Sequence, residues 1–162
     1  MDGTLSAVIG IAVLVWVVVN QVRARPLSAR RMRIAGILGV VGLVQLVGAA
    51  AAGPVPALGW VLLLAGLAIG ALLGGIRAGT VRLWVRDGVV WTQGHAATAA
   101  LWVVGIAAHV GLDLLARAVA PGSATIDGAS VLLFVAVSLG VQGVVTARRA
   151  AVLTGDRPTV RV

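Results

Sequence analysis

The chain has 162 residues, 60% of them hydrophobic and 11% charged, and a mean hydropathy of +1.07. An average soluble domain carries about 25% charged residues, so too little polar surface is present to cover a water-soluble core. The absence of cysteine excludes disulfides, thiolate metal sites and thiol redox steps, and the balance of +8 suggests nucleic acid only until the positions of the basic residues are read.

A helix needs about 20 apolar residues to cross the hydrocarbon core. Five stretches approach or exceed that length: Leu5 to Val22, Ile34 to Ala52, Val55 to Ile76, Ala96 to Ala118 and Ala129 to Thr146. The expected fold is therefore all-α and membrane-embedded, a single five-helix domain over residues 1–147 followed by a polar tail over 148–162. The first stretch lacks the basic leader of a cleaved signal peptide, since only Asp2 precedes it, and reads as a retained anchor.

All thirteen basic residues are Arg. Arg23, Arg25, Arg30, Arg31 and Arg33 lie between spans one and two, Arg77, Arg82 and Arg86 between three and four, and Arg148, Arg149, Arg157 and Arg161 after span five. Arg117 alone falls on the opposite side. The positive-inside rule then makes the Arg-rich face cytoplasmic, with the N-terminus outside and the C-terminus inside a bacterial cytoplasmic membrane. Anionic lipid headgroups are the expected contacts of these arginines, and nucleic acid is not an expected partner.

Between spans two and three, Gly53, Pro54 and Pro56 mark a tight hairpin, and Gly66, Gly70 and Gly74 repeat every fourth residue of span three. Such a face has no side chains and admits close approach of another helix. Gly36, Gly39 and Gly42 form a second small strip on span two.

The segment "TVRLWVRDGVVWTQG" breaks the helical pattern. Leu83 and Val85 alternate with Arg82, Trp84 and Arg86, and Asp87-Gly88 is a favoured two-residue turn, so a β-hairpin is expected over about 80–93. Unpaired strand edges are not tolerated in hydrocarbon, which places the hairpin at the cytoplasmic interface. There Arg82, Trp84, Arg86 and Trp91 can touch headgroups or dock a membrane protein partner.

The block "GLAIGALLGGIRAGTVRLWVRDGVVWTQG", Gly66 to Gly94, followed by "ALWVVGIAAHVG", resembles the CcdC-like family of small bacterial multi-pass membrane proteins. The likeness lies in a Gly-rich helix, an Arg and a Thr just beyond it, a short Asp-Gly hairpin and a further span, over roughly the central third of the chain. It implies a similar topology. The family name reflects association with cytochrome c biogenesis loci, and no catalytic residues come with it.

Span four carries His109, Asp113 and Arg117 at four-residue spacing, hence on one face. Ionisable groups inside a span are functional candidates by default. With Gln45 of span two as cross-helix partner, they read either as a polar latch or as the lining of a small oligomeric transporter or channel. His95 and His109 lie about 21 Å apart along one helix, a spacing that would suit haem ligation only across a homodimer. Two His and no Cys make no closed zinc site. Ser123, Ser130 and Ser138 sit in no nucleophile motif, and no Glu, phosphate loop or paired carboxylate occurs. The expected function is that of a non-catalytic accessory or scaffold protein without a cofactor.

Overall fold

The computed structural model describes residues 23–28, 30–120 and 127–155. In chain order the elements are strand β1 (Arg25–Pro26), helices α1 (Arg30–Ala52) and α2 (Ala57–Thr80), strands β2 (Arg82–Arg86) and β3 (Val89–Gln93), and helices α3 (Ala96–Val119) and α4 (Asp127–Thr154). All four helices are long and apolar enough to cross a membrane. The chain is thus a multi-pass membrane protein, mostly helical, with a small three-stranded sheet. The expected first span, 5–22, lies outside the described residues, as do the connection over 121–126, with Ser123, and the tail from residue 156.

The helices alternate in direction. Gly39 of α1 meets Ala136 of α4 and Gly143 meets Met32, so α1 and α4 run antiparallel, whereas Gly70 meets Phe134 and Gly74 meets Ser138, so α2 and α4 run parallel. Gly66 lies against Leu112 and Gly105 against Leu73, which makes α2 and α3 antiparallel. α4 packs extensively on both α1 and α2 and barely on α3, which leans on α2. Accordingly 39% of the membrane window of α4 is buried, against 11% for α1. The outer face of α1, including Ile37, Val40, Val44 and Val47, is exposed and suited to lipid.

The glycine row of α2 and a row on α4 interlock. A Cβ on Gly74 would lie 2.4 Å from the Ser138 carbonyl oxygen, and one on Gly70 3.0 Å from the Phe134 ring. Gly66 differs, because its Cβ would meet Leu112 of α3 at an ordinary 3.6 Å. Two of the three glycines therefore set the α2–α4 distance.

At the other end of α2 the chain turns into the sheet, whose order is β1-β3-β2, all antiparallel. Asp87 (φ 52°) and Gly88 (φ 71°) are both left-handed, the two-residue geometry that matches strand twist. The sheet has one strand more than the hairpin alone: Arg25 pairs with Thr92 and Pro26 with Trp91. Proline serves there because an edge strand can spare an N–H, and Leu27 N donates to Val90 O at 2.8 Å just beyond it. Two helices also run past the hydropathic stretches: α2 continues to Thr80 and α4 to Thr154.

Candidate functional site

Polar side chains collect at both ends of the bundle. At the sheet end the centre is Arg77, only 2% exposed. Read from sequence as part of the cytoplasmic connection, it lies instead within the last turn of α2 and points into the protein. Its Nη2 donates to Ser138 Oγ of α4, and its guanidinium carbon sits 3.8 Å over the Trp102 ring of α3. One side chain thereby joins three helices. Among the described residues no carboxylate lies within ion-pair distance of it. The aromatic face and the hydroxyl take the place of a counter-charge, since the negative face of an indole attracts a desolvated cation strongly.

Two further ties surround it. Thr80 Oγ1 donates to Arg77 O at 2.9 Å and lies 2.8 Å from Thr98 Oγ1. Because the Thr80 hydrogen is spent on that carbonyl, Thr98 must be the donor between the two hydroxyls. Thr98 in turn accepts from His95 N at 3.2 Å, and His95 Nδ1 accepts from Ala97 N at 3.2 Å. A directed chain of hydrogen bonds therefore runs from the N-terminus of α3 to the C-terminus of α2. His95 is the cap of α3, a role that Ser, Thr, Asp or Asn usually fill.

Arg149 of α4 supplies the second tie. Its Nη1 donates to the carbonyl oxygens of Ala78, Gly79 at 3.4 Å and Val81 at 3.0 Å. The last carbonyls of a helix have no partner within it and carry partial negative charge, so a cation from a neighbouring helix is a fitting cap.

The far end is built differently. His109, Asp113 and Ser130 line a shallow cleft between α2, α3 and α4, whose other walls include Leu63, Gly66, Leu112 and Phe134. His109 Nε2 is 3.3 Å from Asp113 Oδ2, off the hydrogen-bond line, and the imidazole stacks on Phe134 with ring centres 4.9 Å apart. Ser130 Oγ donates to Asp113 Oδ1 at a long 3.4 Å. The carboxylate thus stands between the imidazole and the hydroxyl. With the carboxylate rather than the imidazole in the middle, the three do not form a nucleophile–base–acid series.

Among the described residues Ser130, not Gln45, meets this cluster from another helix. Gln45 is exposed on α1 and lines no part of the cleft. α1 is apolar almost all round, so composition does not fix which side it turns to the bundle. Arg117 is exposed one turn beyond Asp113. Among the described residues no three His, Cys, Asp or Glu come together to hold a metal.

No protein-family model, curated protein or solved structure matches the chain.

On the sheet, Trp84 and Trp91 are paired across strands and stacked, with centroids 6.5 Å apart. Arg82 and Arg86 are exposed on either side of Trp84. Arg86 Nε lies 3.6 Å from the carboxylate of its neighbour Asp87, in the open. A further group was not assembled from sequence: Ser130, Ser138, Gln142 and Thr146 are all buried on α4. Their register, with Phe134 completing a row of every fourth residue, is the signal that finds them.

Proposed function

We propose that this chain is a non-catalytic accessory or scaffold protein of a bacterial cytoplasmic membrane. Its sheet and C-terminus would face the cytoplasm and its N-terminus the outside. Support comes from how the buried polar groups of the sheet end are used. Arg77, Ser138, Thr80, Thr98 and Arg149 are tied from helix to helix, and Gly70 and Gly74 leave no passage between α2 and α4. These contacts stiffen a bundle.

The arginines support this orientation. Arg23, Arg25, Arg30, Arg33, Arg82, Arg86, Arg148 and Arg149 belong to the sheet end, and Arg117 to the other. Anionic headgroups fit this end, and the exposed hairpin residues Arg82 and Arg86, with Trp84 between them, fit a membrane protein partner. Membership of the CcdC-like family, on the block Gly66 to Gly94, belongs to the same proposal.

A second reading rests on the buried row Ser130, Ser138, Gln142 and Thr146, with His109 and Asp113 at one end of it: a small oligomeric transporter. Affinity purification from gently solubilised membranes, read by mass spectrometry and visible absorption, separates the two. The scaffold reading expects a stoichiometric second protein that is lost in Arg82→Ala/Arg86→Ala. A homo-oligomer alone, with an ion flux abolished by Asp113→Asn, would overturn it in favour of transport. A Soret band would put a haem on His95 or His109 and overturn both.

A further inference from the structure

Among the described residues no backbone group bonds to the outer edge of β2, and the chemistry of that edge can be read residue by residue. In a two-residue hairpin the pair flanking the turn exchanges both hydrogen bonds, and bonded pairs alternate from there. Arg86–Val89, Trp84–Trp91 and Arg82–Gln93 are therefore the bonded pairs of β2 and β3. Leu83 and Val85 turn their N–H and C=O away from β3. The same alternation points Val90 O toward β1, where Leu27 N meets it, which checks the register. Along the outer edge of β2, Arg149 takes the carbonyl of Val81, and Val85 is 49% exposed.

Side chains alternate as well. Arg82, Trp84 and Arg86 share one face of β2, with Trp91 stacked beside Trp84. Leu83 and Val85 share the other face with Thr92 and Val90, which are buried. A strand added to the free edge would have its successive same-face residues beside Arg82, Trp84 and Arg86.

We propose that the β2 edge binds an extended acidic segment of a partner protein by strand addition. The segment carries a carboxylate, an apolar residue and a second carboxylate at alternate positions. The carboxylates pair with Arg82 and Arg86, the apolar residue covers Trp84, and the backbone bonds to Leu83 and Val85. Backbone pairing supplies the attachment and side-chain spacing the selectivity. The exposed Asp87 beside Arg86 is the charge that the incoming carboxylate displaces. This inference rests on the scaffold reading and names the chemistry of its partner.

The test uses the full chain in phosphatidylcholine nanodiscs, titrated with the capped peptide Thr-Glu-Thr-Val-Thr-Glu-Thr and followed by tryptophan fluorescence. The expected result is saturable binding that weakens at least about tenfold in Arg82→Ala/Arg86→Ala and in Val85→Pro, and is kept in Val85→Thr. Proline removes an N–H that no described residue uses and is tolerated on an edge strand; if it unfolds the sheet, the double Arg variant decides alone. Equal binding of a peptide with the same composition and adjacent glutamates would overturn the proposal. So would equal binding by Val85→Pro and Val85→Thr with the sheet intact. Binding of phosphatidylglycerol vesicles but not the peptide would assign the face to lipid and overturn it too. A natural partner captured equally well by Val85→Pro would remove the strand-addition model and leave the scaffold reading standing, whereas no captured partner removes that reading itself.

Discussion

The two ends of the bundle use the same kinds of residue to different effect. At the sheet end Arg77 reaches Ser138 and Trp102, Arg149 reaches the end of α2, and Thr98 reaches Thr80. Each of these contacts joins separate elements. At the other end His109 and Asp113 are neighbours on one helix, and Ser130 approaches at a long 3.4 Å. The difference teaches that a polar residue within a span ties helices together through those of its contacts that cross between helices, which are close and several at the sheet end and a single long one at the cleft. The glycines follow the same division: Gly74 lies against backbone and Gly66 against a movable leucine.

Substitutions can break this contrast. Gly74→Ala places a methyl group on the Ser138 carbonyl and should cost on the order of 3 kcal/mol, measured as stability against denaturing detergent in mixed micelles. Arg149→Ala leaves the carbonyls of Ala78, Gly79 and Val81 without their charged donor and should cost about 2 kcal/mol by the same assay. Thr98→Val keeps the shape and removes the middle of the hydroxyl chain. A loss of about 1 kcal/mol is expected, within the range seen for polar contacts between membrane helices. Gly66→Ala and Gln45→Leu should each change stability by less than about 0.5 kcal/mol. If Gly66→Ala proved as costly as Gly74→Ala, the two ends would not differ in the way described.

Much of the plan was legible in the sequence, for reasons that also mark where legibility stopped. Long apolar runs reveal spans because hydrocarbon sets their length, and Asp87-Gly88 reveals its turn because few residues accept two left-handed positions. The spacing of His109 and Asp113 placed them on one face. It could not choose between Gln45 and Ser130 as their neighbour, since that depends on how α1 and α4 are rotated. Arg77 looked like a loop residue because a charge ordinarily ends a hydropathic window. Only the position of Trp102 and Ser138 on adjoining helices makes its burial tolerable. The two-residue strand β1 carries too short a pattern to be read, and Pro26 argues against a strand until its place on an edge is known.

The central claim is that Arg77 binds the helices together through Ser138. A double-mutant cycle with Arg77→Met and Ser138→Ala, followed by unfolding in mixed micelles, tests it most directly. The account predicts a coupling of about 1 kcal/mol or more between the two sites. Effects that simply add, within about 0.3 to 0.5 kcal/mol, would contradict it.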